Sequence, residues 1–510
     1  MIIFPIIDLS KATGLDGLNA RILKLAATSI SNPISYIINN SIKTGIFPQV
    51  WKNAKVAPIF KGGDMQNKTN YRPISVLPVL SKLIERHIAN SLKSFLDTHN
   101  LLYAKQSGFR NSHSCETALT AIIHQWTKAI QEGLLNGVVF IDFRKAFDLV
   151  NHHILLKKLQ LYKCDNSSLK WFQSYLANRT QQVQFKQAKS QTQVMDVGVP
   201  QGSILGPLFF IIFINDLALK VKSGLDMYAD DSTLSATAKT TDQLETILNQ
   251  DLSYINEWCN CNQMVLNTGK TKSSIITTWQ KMQHLDQKQL DLYIGHSELQ
   301  TTNNDKLLGV VIDQHLLFKK HVKKIYTKVS QSIALLRRIK QFLPHSARVK
   351  FYNAFIMPQL EYCCTIWGSS SEISSLCKLQ NRCARIILDK PYDYSATEAL
   401  RSLKILPLQL RIRQRKAVLV FKSLNKLVPD YMCDMFQYVT DVSQRSTRQS
   451  AASKLYIPNK LLNIHAQTLA ISGAEIWNDI PVEVRNIKDV HVFSRTLYTK
   501  YFNDYFSSAN

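Results

Sequence analysis

Val139-Phe-Ile-Asp-Phe-Arg-Lys-Ala-Phe-Asp148 is an apolar run interrupted by one acid, Asp142. Such a run predicts a strand buried on both faces. A carboxylate there is costly unless a cation pairs with it. Read alone, the segment also fits a satisfied core aspartate at a strand end. A second segment, Met227-Tyr-Ala-Asp-Asp231 followed by Ser-Thr-Leu, sets two adjacent acids between short apolar flanks. That pattern predicts a hairpin whose turn presents both, although an isolated Asp-Asp pair is also an ordinary turn. Adjacent carboxylates repel, and a divalent metal removes the repulsion and favours the ionised form. With Asp142 on a neighbouring strand, Asp230 and Asp231 complete a three-carboxylate oxygen site suited to Mg²⁺. Such a site serves in-line phosphoryl transfer, one metal activating the attacking hydroxyl and a second holding the phosphates. Between the two segments lies Gly198-Val-Pro-Gln-Gly-Ser-Ile-Leu-Gly-Pro207, running into a helical stretch over 208–216. Gly and Pro at this density make either a plain loop-to-helix junction or a loop that a base pair can approach closely.

Outward from these segments, short strand-like runs cover residues 56–60, 138–143, 183–185, 227–228 and 273–277. Helical patterns lie between them. Residues 18–30 form one, after an Asp-Gly turn, and residues 241–259 the clearest, with Leu244, Ile247, Leu248, Leu252 and Ile255 on one face. Thr240 and Gln243 stand at capping-box spacing before it. The mixture reads as α+β up to about residue 310. From His315 the character changes. Residues 315–350 hold ten Lys/Arg and no Asp or Glu, while Ile325, Val329, Ile333, Leu336 and Ile339 keep a helical period. This is a helical module whose basic face is either solvated or turned to phosphate. Residues 408–425 form another basic helix, with Pro407 suited to its start. The tail over 440–510 has mixed polarity and shows no clear fold.

Composition narrows the function. The 510 residues are 45% hydrophobic, with Gly 17 and Pro 15, which excludes collagen-like and broadly disordered chains. Lys+Arg 62 against Asp+Glu 37 leaves a net charge of +25, easiest to explain by a polyanionic partner. No run of 18 apolar residues occurs, so no membrane partner is expected. Residues 1–9 are apolar but lack a basic stretch and a cleavage site, so no secretion signal is expected. The Cys count, 9, is odd, and suits a reduced, intracellular compartment, nucleus or cytoplasm. Cys259-x-Cys261, Cys363-Cys364 and Cys377/Cys383 lack zinc spacing and read as structural thiols. His152-His153 sits at a helix start and reads as a capping or packing pair.

The order F-x-D-x-x-x-A-F-D, G-x-P-Q-G-S-x-L-G-P, Y-A-D-D closely resembles the reverse transcriptases of non-LTR (LINE-type, Jockey/CR1-like) retrotransposons. Residues 11–19 (KATGLDGLN) and 51–61 (WKNAKVAPIFK) look like their N-terminal extension and fingers. Asn70-Tyr-Arg-Pro-Ile-Ser75 and Gln106-Ser-Gly-Phe-Arg110 are similar to further fingers motifs. Residues 267–272 (NTGKTK) resemble the motif after the catalytic hairpin, Leu307-Leu-Gly309 the primer grip, and the basic helices the thumb. Ile476-Trp-Asn-Asp-Ile-Pro481 resembles the C-terminal tail of these elements.

The resemblance implies a right-hand polymerase. Fingers with the N-terminal extension would occupy 1–135, a palm with an antiparallel sheet and part of the fingers 136–314, a helical thumb 315–400, and a mainly helical C-terminal region 401–510. It implies RNA-directed DNA synthesis from RNA template, DNA primer and dNTPs, with two Mg²⁺ ions, or Mn²⁺ in their place. Asp142 and Asp230 would ligate both metals, Asp231 would complete the cluster, and the backbone carbonyl of Phe143 would be a further ligand. Phe147 matches the aromatic that excludes a ribose 2′-hydroxyl. Lys61 and Arg72 match residues holding the incoming triphosphate, with Lys55 a competitor to Lys61, and an Arg fork suits phosphate geometry. Gln201 matches the loop residue near the incoming sugar. Lys270 is either a proton donor to pyrophosphate or a solvated turn lysine. Lys319, Lys320, Lys323 and Lys324, with Arg337 and Arg338, are expected on template–primer phosphates. Relatives of this type carry an endonuclease before the polymerase, whereas this sequence opens at the fingers extension, and no RNase H carboxylate set is recognisable. Autonomous retrotransposition is therefore not expected of it alone. Two other readings remain: a decayed, non-catalytic nucleic-acid-binding protein keeping the fold, and a group II intron maturase, against which Leu308-Gly309 and the tail argue. Oligomeric state is not legible in the sequence.

Overall fold

The computed structural model describes residues 8–442, 453–458 and 462–507. Its central sheet is built round the strand Leu135–Ile141. Asp231–Ala238 and Lys272–Ile276 flank it, both antiparallel. Gly224–Tyr228 adds an antiparallel strand on one side, and Gln300–Thr301 a short parallel one on the other. The apolar run Val138–Ile141 of the central strand follows from its two covered faces. Val139 packs in one hydrophobic cluster with Leu244 and Leu248 of the helix Thr241–Asn262. Val138 packs in a second cluster with Leu119, Ile122 and Trp126 of the helix Cys115–Gln131. Burial on alternate faces leaves no position for a solvated side chain until the strand ends.

A second sheet combines two strands that precede the central strand of this palm with others that follow it. Asn53–Phe60 pairs antiparallel with Tyr71–Val76 and parallel with Arg179–Phe185. The helical pattern over 18–30 resolves into two helices, Ala20–Leu25 and Ala27–Thr44, the first capped by Asn19, which accepts from Arg21 N–H at 2.7 Å. The helix expected over 241–259 runs three residues further, to Asn262, and Thr240 Oγ1 accepts from Gln243 N–H at 3.4 Å as the cap spacing predicts.

Beyond the palm the chain is helical. Lys319–Ile339 buries Val322, Ile325, Val329, Ile333 and Leu336 as one stripe. Ile373–Ile387 packs against it, and Leu408–Leu424 follows. The tail, where the sequence showed no clear fold, ends in the helix Val490–Ser507 packed on Leu408–Leu424, with Phe493 stacked on Phe421 at 4.5 Å. Only Phe493, Leu497 and Phe506 of that helix are buried, so its apolar stripe is too sparse to stand out in the sequence. Residues 1–7 and part of 440–510 lie outside the described residues. All nine cysteines are free, and Cys259, Cys363, Cys364 and Cys383 are buried. Among the described residues no helix is long and apolar enough to cross a membrane.

Candidate active site

The acidic hairpin joins Gly224–Tyr228 to Asp231–Ala238 through a two-residue turn, with Tyr228 paired to Asp231. The turn therefore holds Ala229 and Asp230, while Asp231 opens the return strand; only one of the two acids sits in the turn. Ala229 has φ 59°, the left-handed value that a tight hairpin turn demands of its first central residue and that normally selects glycine. Its neighbours hold it there. Gln106 Oε1 accepts from Ala229 N–H at 3.0 Å. Gly108 lies so close that a Cβ on it would fall 2.3 Å from Ala229 N.

Asp142 follows directly on the central strand. Ile141 pairs with Ser232, so Asp142 comes level with Asp231, and Asp230 is next to it across the turn. No cation pairs with Asp142 among the described residues. It is held instead by the segment after the long helix: Asn267 Nδ2 donates to Asp142 Oδ2 at 2.8 Å, and Asn267 N–H to Asp142 O at 2.8 Å. Asp142 N–H donates to Thr271 Oγ1 at 3.2 Å. The acids feel one another. Desolvation, then the Asp142 charge, pushes the Asp230 carboxyl up, against Arg72 and Lys61, which pull it down. Asp231 is pushed up to about 6, by desolvation first and then by Asp230 and Asp142, with Lys306 and Arg72 opposing. Among the described residues, no group of three or more Asp, Glu, His or Cys side chains is placed to hold a metal ion by itself. Mg²⁺ is ordinarily held by one or two carboxylates, water and substrate phosphates, so bare, mutually repelling carboxylates remain a suitable donor set.

The Gly/Pro loop is laced between the turn after Asp142 and the second sheet. Val199 N–H donates to Phe147 O at 2.9 Å, Gly198 N–H to Val150 O at 2.8 Å, and Ser75 N–H to Gln201 O at 2.7 Å. His152 Nε2 donates to Gly198 O at 2.7 Å, a packing role as the sequence suggested. Gly202 has φ 127°, and a Cβ there would lie 2.4 Å from Ser75 O. Gln201 Nε2 donates to Asp148 Oδ1 at 2.9 Å. Phe147 stacks on Phe210 at 4.5 Å and meets Phe109 edge-on at 6.2 Å, so its ring is fixed from two sides.

Arg72 is exposed on the strand Tyr71–Val76, and Lys61 is exposed just past the end of its neighbour Asn53–Phe60. Arg72 is paired with Ile59, and Lys61 N–H donates to Asn70 O at 2.8 Å one step beyond the strand end. Lys55 stands at the other end of the pair, opposite Val76, and it is Lys61 whose charge reaches Asp230. Lys270 is exposed, in the turn between Asn267 and Thr271. Lys319, Lys320, Lys323, Lys324, Arg337 and Arg338 are all exposed on the side of their helix away from its buried stripe. Lys306 links that helix to the acids: its charge acts on both Lys324 and Asp231.

Sequence reasoning passed over four of these supports. Asn267 and Thr271 lay inside a quoted motif of which only Lys270 drew attention. Gln106 gave no signal beyond its own motif. Glu85 is fully buried and accepts from Ile204 N–H at 2.7 Å and Leu205 N–H at 3.4 Å, placing a carboxylate at the start of the helix Leu205–Ile214. One acid amid Leu80, Leu83 and Ile84 was its only trace.

Residues 59–312 match the reverse transcriptase (RNA-dependent DNA polymerase) family. Two Drosophila melanogaster proteins, named "Probable RNA-directed DNA polymerase from transposon BS" and "from transposon X-element", are each 30% identical to the chain, over 415 and 410 residues. The chain carries a reverse transcriptase domain of the non-LTR retrotransposon type. The "RNA-directed DNA polymerase from mobile element jockey" of Drosophila funebris is 25% identical over 474 residues, 90% of this chain and 50% of that protein. The transposon BS and X-element matches cover 78% of this chain and 45% and 44% of those proteins, so the chain spans about half the length of the curated relatives it matches. The reverse transcriptase domain contains Lys61, Arg72, Asp142, Phe143, Phe147, Gln201, Asp230, Asp231 and Lys270, and ends before the basic helix Lys319–Ile339.

Proposed function

We propose that this chain is an RNA-directed DNA polymerase that adds deoxynucleotides to the 3′-hydroxyl of a DNA primer on an RNA template. The observation that carries the reading is the meeting of Asp142, Asp230 and Asp231 at adjoining strand ends, without an ion pair to any of them among the described residues. Leaving such acids unneutralised is expensive unless a cation arrives with the substrate. Divalent metal is general to the family, and Asp142, Asp230, Asp231 and the Phe143 carbonyl are the oxygens that would hold two Mg²⁺, or Mn²⁺. When bound, the metals lower the pKa of the primer hydroxyl and take up charge on the leaving pyrophosphate.

The chain's own residues do the positioning. Asn267 and Thr271 fix Asp142 by side chain and backbone. Arg72 and Lys61 face the acids from the fingers sheet with no ion pair of their own among the described residues, and so are free for the triphosphate. Arg72 offers a planar fork to two phosphate oxygens. Phe147, clamped between Phe210 and Phe109, blocks the space a ribose 2′-hydroxyl would need. Gln201, aligned by Asp148, lies where the sugar would pass. Lys270 stands at the edge of this arrangement, either as a proton donor to pyrophosphate or as a solvated lysine. The exposed basic face of Lys319–Ile339 would hold the RNA–DNA duplex by its backbone, which is the means by which A-like duplexes are recognised without reading sequence. Free cysteines and strong positive charge suit an intracellular setting beside nucleic acid. The test is extension of a DNA primer on an RNA template by the wild type and by Asp230→Asn: the first should extend, the second should not. Extension by both would refute the assignment.

A further inference from the structure

Behind the acidic hairpin lies the loop over residues 105–110, fastened to it along the backbone. Met227 N–H donates to Lys105 O at 3.1 Å, and Ser107 N–H donates to Met227 O at 2.8 Å. Gln106 is fully buried, and its Oε1 accepts from Gly108 N–H at 2.8 Å and Ala229 N–H at 3.0 Å. Ala229 is the turn residue next to Asp230, so a shift of Gln106 moves the turn that carries the acid. The same loop supplies Phe109, whose ring braces Phe147.

This loop is touched from far along the chain. Tyr431, in the short helix Asp430–Cys433, places its hydroxyl 2.9 Å from Ser107 Oγ and 3.5 Å from Thr117 Oγ1. Its ring meets the His113 ring edge-on at 5.9 Å. Ser107 is only 3% exposed, so the contact is screened from water. Burial pushes the Tyr431 phenol above its ordinary range, which keeps it protonated and able to donate. The segment that brings Tyr431 here is itself anchored. Met432 is fully buried in the C-terminal hydrophobic cluster. Arg415 of Leu408–Leu424 pairs with Glu116 Oε2 at 3.2 Å, and Thr365 Oγ1 donates to Glu116 Oε1 at 2.8 Å. Glu116 sits in the first turn of the helix that also bears Thr117.

We infer that Tyr431 is a positioning residue for the catalytic hairpin: through Ser107, the C-terminal region holds the loop whose Gln106 holds Ala229 and Asp230. The inference rests on the polymerase reading above. Tyr431 touches neither nucleotide nor metal ligand; it acts through two intermediaries. Catalytic groups must be held within about half an ångström of the productive geometry, and supports of this kind act on rate rather than on affinity. The C-terminal region therefore contributes to the chemical step, apart from any grip on nucleic acid.

The test uses the whole chain with Tyr431→Phe, which removes only the hydroxyl, Ser107→Ala, which removes its partner, and the double variant. Single-turnover incorporation of one dNTP on an RNA template and DNA primer gives the maximal rate and the half-saturating dNTP concentration. Template–primer affinity and the thermal midpoint are read alongside. Tyr431→Phe should lower the maximal rate about three- to tenfold, the span of one net hydrogen bond. Half-saturation and template affinity should stay at wild-type values, and the midpoint should fall by no more than about 2 °C. Ser107→Ala should lower the rate too, and the double variant should be no slower than Tyr431→Phe alone, because the hydroxyl that Ser107 bonds is already gone in that variant. A wild-type rate in Tyr431→Phe, single losses that multiply in the double variant, or a loss confined to template affinity would each overturn the inference. Asp230→Asn separates the two levels. If it is inactive while Tyr431→Phe is as fast as wild type, the inference alone fails; if it extends normally, the polymerase reading fails and takes the inference with it.

Discussion

Asp142 illustrates how a single residue can be legible while its environment is not. An acid breaking an apolar strand announces a site, but the sequence suggested a pairing cation; the structure gives the carboxylate one amide donor, Asn267, while the Thr271 hydroxyl accepts from the Asp142 backbone N–H. Asn267 is far away in sequence, and its role depends on where the helix Thr241–Asn262 sets the chain down. Phe147 is similar: the motif singles it out, while the clamp of Phe210 and Phe109 is visible only in the fold. Phe147→Ala should open the space the ring fills and admit ribonucleotides, so the ratio of dNTP to rNTP incorporation should fall by about tenfold or more, given the one to three kcal/mol that pocket sterics command. Unchanged discrimination in single-nucleotide incorporation would remove Phe147 from the site. A second acid makes a separate prediction. Asp226 on the outer hairpin strand has a buried Oδ2 without a hydrogen-bond partner, with Lys105 Nζ 3.9 Å away, and burial pushes its carboxyl up to about 6. Its folded pKa is thus above its unfolded one, so the ionised form costs the fold. Stability from this group is fully present while it is protonated and is lost as pH rises from about 4 to about 6. Asp226→Asn should raise stability at about pH 8 by roughly 1–3 kcal/mol and give no gain near pH 4, as unfolding at the two pH values would show.

At the scale of elements, periodicity carried most of the reading. The helix Lys319–Ile339 declared itself by apolar residues at helical spacing, and the structure buries that stripe and leaves its lysines in solvent. Whether those lysines bind phosphate is settled by salt. Changing Lys319, Lys320, Lys323 and Lys324 to Ala should weaken template–primer binding about equally for different template sequences. The slope of log K against log[salt] should shrink by up to about one unit per lost contact. An unchanged slope would make them a solvated face. The acidic hairpin was legible as a hairpin, but its register was not. Pairing of Tyr228 with Asp231 puts one acid in the turn and the other on the strand, a distinction that hangs on Ala229 taking φ 59°, a conformation its own side chain disfavours. The local sequence gave no warning of it, because the support comes from Gln106 and Gly108 in another part of the chain.

Across the whole molecule, three hydrophobic clusters organise the chain, and the acids lie near where the first two meet. Val139 and Ile141 belong to the first, Val138 to the second, and the second continues into the helices after the palm. The third cluster is assembled by Leu408–Leu424 and Val490–Ser507, and it was the part least visible beforehand, since its pairing is long-range and its last helix has few buried residues. It nonetheless bears on the site, through Arg415 and Tyr431. The central claim is that residues so distant in sequence form one nucleotidyl-transfer centre. It is tested most directly by Asp142→Asn in single-nucleotide incorporation on an RNA template with a DNA primer, together with template–primer binding. Asn keeps the shape and one oxygen but removes the charge, and the chemistry depends on several kcal/mol of electrostatic stabilisation. The account predicts incorporation reduced by at least about a thousandfold with binding within about twofold of wild type. Incorporation close to wild type, with the protein folded and template bound, would contradict it.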